Sequence, residues 1–112
     1  MTINGVNRDI DFTDADLLEK IEEGSKKVYD ETEKLKTVNL KIAEGIRQEC
    51  KLMKDFLDYV LGDGISKKIF GDKNSLKDCL KAFEDVINLK EEQYNSVLNK
   101  INLYSPERVN RQ

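Results

Sequence analysis

Residues able to run chemistry are scarce in this chain and badly spaced for it. None of the 112 residues is a histidine, which removes the commonest general base, the Ser-His and Cys-His nucleophile pairs and the usual zinc ligand. Cys50 and Cys79 cannot complete a structural zinc site without histidine, and both lie beside apolar helical stripes, where a free thiol behaves as a small buried hydrophobe. The acidic pairs Asp14/Asp16, Glu22/Glu23 and Glu91/Glu92 have the residue type of an acid-base couple. On lysine-rich helical segments such pairs read as solvated faces. The run Asp72-Lys73-Asn74-Ser75-Leu76-Lys77 opens like a calcium loop, yet Lys77 stands where the loop needs glycine and Phe83 where it needs a bidentate glutamate. Gly62, Gly64 and Gly71 do not have phosphate-cradling spacing, and no Gly-Lys-Ser/Thr follows. The four Tyr and four Phe fall mostly on packing faces rather than on a stacking platform. The residues therefore predict no catalytic group, no cofactor and no metal, and the chain reads as a non-enzyme.

Composition agrees with a helical interaction protein. Charged residues make up 37% and apolar residues 38%, with a single proline, the balance of amphipathic helices rather than of sheets or disordered tails. The net charge is −3 with a pI near 5.1, and lysines alternate with Asp and Glu, so no basic face for nucleic acid is evident. The opening Met1-Thr2-Ile3-Asn4-Gly5 has neither a cationic nor an apolar leader region, and no run of about 18 apolar residues occurs. A cytoplasmic protein without a membrane partner is expected. The length supports one domain over 1–112.

The elements that would position any site are two long amphipathic helices. Residues 2–12 read as a β-hairpin, with Asn4-Gly5 as a type I′ turn and Val6 to Phe12 as the return strand. Thr13 offers an N-cap with Asp14 and Asp16 in the first turn. From there a stripe through Leu18, Ile21, Ser25, Val28, Thr32, Leu35, Asn39, Ile42, Ile46, Cys50, Met53, Leu57 and Val60 predicts one long helix over 13–61. Gly24, Gly45 and the Thr37-Val38-Asn39 run weaken it, and a break near 37–40 is the alternative. Gly62-Asp63-Gly64 ends this helix, a connector over 62–74 places Ile65, Ile69 and Phe70 over the end of the core, and Asn74 or Ser75 caps a second helix over 75–103. Its stripe is Leu76, Leu80, Phe83, Ile87, Lys90, Tyr94, Val97 and Ile101, and a polar tail, 104–112, follows. The fold class expected is mainly α, a long coiled-coil-like helical hairpin with a short N-terminal β-hairpin.

Length now sets a constraint. The first helix would span about 72 Å and the second about 43 Å, so the second covers the first only back to about residue 33. Leu18, Ile21, Val28 and Leu35 are left as the candidate partner-binding residues, served by a second copy of the chain or by a client helix; a fold-back into a three-helix bundle is the other solution.

The opening Met1-Thr2-Ile3-Asn4-Gly5-Val6 with Asp11-Phe12, the segment Ser66-Lys67-Lys68-Ile69-Phe70-Gly71-Asp72-Lys73-Asn74-Ser75-Leu76 and the ending Tyr104-Ser105-Pro106 resemble small proteins encoded in the tail-gene region of Gram-positive phages and prophages. The resemblance implies a non-enzymatic protein of tail assembly, such as a chaperone or structural component that binds the tape-measure or tail-tube protein in the bacterial cytoplasm. A phage-encoded inhibitor or regulator of a host protein is the alternative. The resemblance carries over no functional residue.

Overall fold

The computed structural model describes residues 2–3, 6–7 and 9–103. It is mainly α, with two short strands, β1 (Thr2–Ile3) and β2 (Val6–Asn7), and four helices, α1 (Ala15–Leu35), α2 (Ile42–Leu61), α3 (Ile65–Phe70) and α4 (Leu76–Leu103). The strands pair antiparallel, Thr2 opposite Asn7 and Ile3 opposite Val6. The Asn4-Gly5 turn and the tail 104–112 lie outside the described residues. Pairing does not continue to Phe12 as the alternating pattern predicts, because residues 9–12 leave the strand and lie on α4. Thr13 is not the helix cap either. Its amide and hydroxyl both donate to the Asp11 carboxylate, an Asx turn that leaves α1 to start at Ala15.

The single helix expected over 13–61 is broken, and this is the main correction. After Leu35 the ladder tightens to three-residue steps, with the amides of Lys36, Thr37 and Val38 donating to the carbonyls of Glu33, Lys34 and Leu35. The Thr37 hydroxyl also donates to the Lys34 carbonyl, 2.8 Å away. These bonds satisfy the last carbonyls without glycine or proline. The β-branched Thr37 and Val38, followed by Asn39, have little to gain from continuing the helix.

The chain then folds back, and α1 packs along α2. Tyr59 Oη donates to Glu23 Oε2 across the seam at 3.1 Å, and the Lys20 ammonium stands 5.5 Å from the centre of the Tyr59 ring. Gly24 makes the closest approach: a Cβ there would lie 2.9 Å from Phe56 Cδ2, whereas a Cβ on Gly45 would meet nothing within 4 Å. The two glycines should therefore answer oppositely to alanine. Gly45→Ala is expected to stabilise by about 1 kcal/mol through helix propensity alone. Gly24→Ala should destabilise, because the buried Phe56 ring must shift to admit the methyl group. Urea unfolding of both variants checks this, and a gain at both positions would show that the seam is looser than described.

Gly62, at φ 119°, and Gly64, at φ 83°, turn the chain from α2 into α3, conformations that a side chain would strain. The Asp58 carboxylate accepts from both the Ser66 amide and the Ser66 hydroxyl, at 2.8 and 2.9 Å, and so braces α3 against α2. Ile65, Ile69 and Phe70 close one end of the core. The Ser75 hydroxyl then accepts from the Asp78 amide and starts α4.

α4 crosses α2 with a face turned only partway from the one its stripe predicts. The core-facing line is Cys79, Ala82 and Val86, continued by half-buried Leu89 and Gln93. Of the expected line, Leu76, Phe83 and Ile87 still pack half-buried against the core. Leu80, expected in the core, is 46% exposed. The cause is size: Cys79 and Ala82 are small, so the α4 backbone approaches α2 closely where larger side chains would hold it off. Phe83 remains at the margin, meeting Phe56 edge-on with ring centroids 4.7 Å apart. Phe12, Ile21, Cys50, Leu57, Ile65, Cys79 and Val86 form the fully buried centre.

Candidate functional site

The four residues predicted to meet a partner turn inward. Ile21 is completely buried, and Leu18, Val28 and Leu35 are half-buried, because the fold-back at 36–41 lets the chain cover its own stripe. Ile21 belongs to the buried core and Val28 packs against it, so these two serve the intramolecular core.

The two cysteines are equally inward. Cys50 and Cys79 are free thiols that touch across the α2 and α4 crossing. Burial, and then the hydrogen bond with Cys50, push the Cys79 thiol up to about 12, so it stays protonated and unreactive at neutral pH. Among the described residues no cluster of three or more His, Cys, Asp or Glu side chains could hold a metal ion, and no helix is long and apolar enough to cross a membrane.

The surface without cover is the far end of α4. Its 28 residues span about 42 Å, whereas α1 and α2, with 21 and 20, span about 30 Å each, so α4 is longer than either by about two turns. The chain measures 60 × 32 × 22 Å, and its radius of gyration of 17.4 Å exceeds the roughly 13 Å of a compact chain of this length. Tyr94, Val97, Leu98 and Ile101 fall at i, i+3, i+4 and i+7 on one side of this overhang. Tyr94 is 50% exposed and Ile101 is 60% exposed.

The base of the overhang is built by the N-terminal segment. Gln93 grips the backbone of that segment with both ends of its amide: Oε1 accepts from the Phe12 amide at 2.7 Å, and Nε2 donates to the Ile10 carbonyl at 3.1 Å. Between this segment and α4 opens a shallow cleft of about 430 Å³, with Ile10, Leu89 and Val97 as its apolar surface and Asp9, Asp11 and Glu92 around it. Among the described residues no cation lines the cleft, and Asp9, Glu91 and Glu92 have no ion-pair partner. The hydroxyl of Thr13, and then its amide, hold the Asp11 carboxyl below its ordinary range, so it stays ionised. A second groove of about 380 Å³ lies between α1 and α2 over Gly24, Val28, Leu52 and Phe56. Its acids are answered, Glu31 by Lys34, Asp55 by Lys51 and Glu23 by the Tyr59 hydroxyl.

With the chain reversing at 36–41, the length mismatch falls on α4 and not on α1, and the spacing of Tyr94, Val97, Leu98 and Ile101 is the sequence signal of this face.

The model of the Family of unknown function (DUF6673) matches residues 4–112, and the chain belongs to that family. Neither the curated proteins nor the solved structures include a match to it.

Proposed function

We propose that this family member is a non-enzymatic assembly protein of a phage or prophage tail, acting in the bacterial cytoplasm by gripping a helix of a client such as the tape-measure or tail-tube protein. The observation that carries this reading is the apolar end of α4, which outreaches the rest of the bundle and stands beside carboxylates that have no ion-pair partner among the described residues. An exposed stripe at helical spacing fits the apolar side of another helix, and Asp9, Asp11, Glu91 and Glu92 select one with basic flanks. The resemblance of the Met1 to Val6 and Ser66 to Leu76 segments to proteins of the tail-gene region supplies the assembly context.

Affinity capture from infected or induced cells, followed by mass spectrometry, tests the reading. Wild-type protein should retain a tail protein, and Val97→Glu with Ile101→Glu should lose it. Recovery of a host enzyme or regulator in place of any tail protein would overturn assembly in favour of host interference.

A further inference from the structure

The chain from Ile10 to Phe12 is held by a side chain and not by a ladder. Among the described residues the Ile10 carbonyl and the Phe12 amide bond only to the side-chain amide of Gln93. Burial alternates along the segment, with Ile10 half-buried, Asp11 exposed and Phe12 without exposed surface. In an extended chain the carbonyl of one residue and the amide two residues on face the same edge, and the side chains of those two residues share a face. A strand pairing in parallel meets that edge with one donor and one acceptor. The Gln93 amide supplies the same donor and acceptor, so it reads backbone whatever the residue type.

We propose that Gln93 and the pocket filled by Phe12 form a recognition site for an extended peptide segment, occupied in cis by residues 10–12. In trans it takes a segment of a partner protein that carries a basic, an aliphatic, a basic and an aromatic residue in succession. Main-chain hydrogen bonds joined to pockets for alternate side chains are the anatomy of strand-like peptide recognition. The places of Ile10 and Phe12 set the aliphatic and aromatic positions. Charge sets the other two. Asp9 and Asp11 line one cleft with Glu92, where no cation stands among the described residues. The segment in cis is therefore a mismatched occupant that gathers like charges, and lysine or arginine at those two places turns repulsion into attraction.

Exchange needs only a local opening. α1 begins its ladder with the Leu18 amide donating to the Asp14 carbonyl, so residues 10–12 can leave without unravelling the helix. What holds them is the burial of Phe12, the partial burial of Ile10 and the two neutral hydrogen bonds of Gln93. The site lies at the base of the α4 overhang, does not use Tyr94, Leu98 or Ile101, and asks for no helix in the partner. It stands independently of the client proposed above.

Fluorescence polarisation with labelled pentapeptides tests the site on the whole chain. Phe12→Ala empties the aromatic pocket and weakens the competing segment. That variant should bind Lys-Ile-Lys-Phe-Thr at least about tenfold more tightly than wild type, which fills the site itself. It should bind Asp-Ile-Asp-Phe-Thr about tenfold more weakly than the lysine peptide, and should lose both peptides when Gln93→Leu is added. Should Phe12→Ala lower helicity on its own, the far-UV circular dichroism regained on titrating the lysine peptide reads the same binding. Absence of binding to Phe12→Ala at about 1 mM peptide, equal binding of Lys-Ala-Lys-Ala-Thr, or indifference to Gln93→Leu would each overturn the proposal. So would a mixed dimer of Phe12→Ala with wild type that excludes the peptide, since the occupant would then be a second copy. Failure to capture a tail protein from cells would count against the functional reading and leave this one standing.

Discussion

Ile21→Lys is expected to unfold the protein. Ile21 has no exposed surface and sits in the fully buried centre with Phe12, Leu57 and Val86. A lysine there leaves an ammonium without a partner in an apolar site, a change whose cost lies beyond about 4–5 kcal/mol. Domains of this size hold only about 5–15 kcal/mol in all. Far-UV circular dichroism and thermal melting decide the matter. A cooperative melt within a few degrees of wild type would show that α1 does not fold onto α2, and would return Ile21 to the outside of a long continuous helix.

Phe56→Ala should produce the second largest loss, about 3–5 kcal/mol in denaturant unfolding. Phe56 joins the two halves of the core: one edge fills the space left by Gly24 on α1, and its ring meets Phe83 of α4 at an interplanar angle of 84°. Phe83→Ala, for which its place in the stripe suggests an equal cost, should lose less, because Phe83 stands half-buried at the margin. The double variant measures the edge-on contact directly, with a coupling of about 0.5–1.5 kcal/mol expected. A coupling near zero would mean that the two rings do not meet in solution.

Much of the helical layout is legible in the residues, since Gly62 and Gly64 mark the end of α2, Ile65, Ile69 and Phe70 read as a short capping turn, and Ser75 stands where α4 begins. The reversal at 36–41 is legible only as the alternative that the Thr37-Val38-Asn39 run offers, because it uses no glycine or proline, only three-residue hydrogen bonds and the reluctance of those residues to stay helical. Two further features are not legible, each for a physical reason. The rotated face of α4 follows from how closely two backbones can approach, and in a hydropathy stripe Cys79 and Ala82 look like its edge rather than its centre. Gln93 looks like a solvated residue until the open backbone groups of Ile10 and Phe12 are placed against it. Gln93 builds the base of the candidate site, so the site shows only in the folded chain.

The grip of Gln93 on Phe12 joins residues 81 positions apart. Closing a flexible loop of that length costs about 4 kcal/mol in chain entropy, while two neutral hydrogen bonds return about 1 kcal/mol each. The contact cannot nucleate the fold. It becomes favourable only after the α1 and α2 pair has formed and α4 has crossed it, when most of the intervening chain is already fixed. Gln93 is thus a latch rather than a hinge, the last part of the molecule to fasten and the first to open. A pull on the free end of α4 reaches Ile10 and Phe12 through Gln93, and through Phe12 the buried centre.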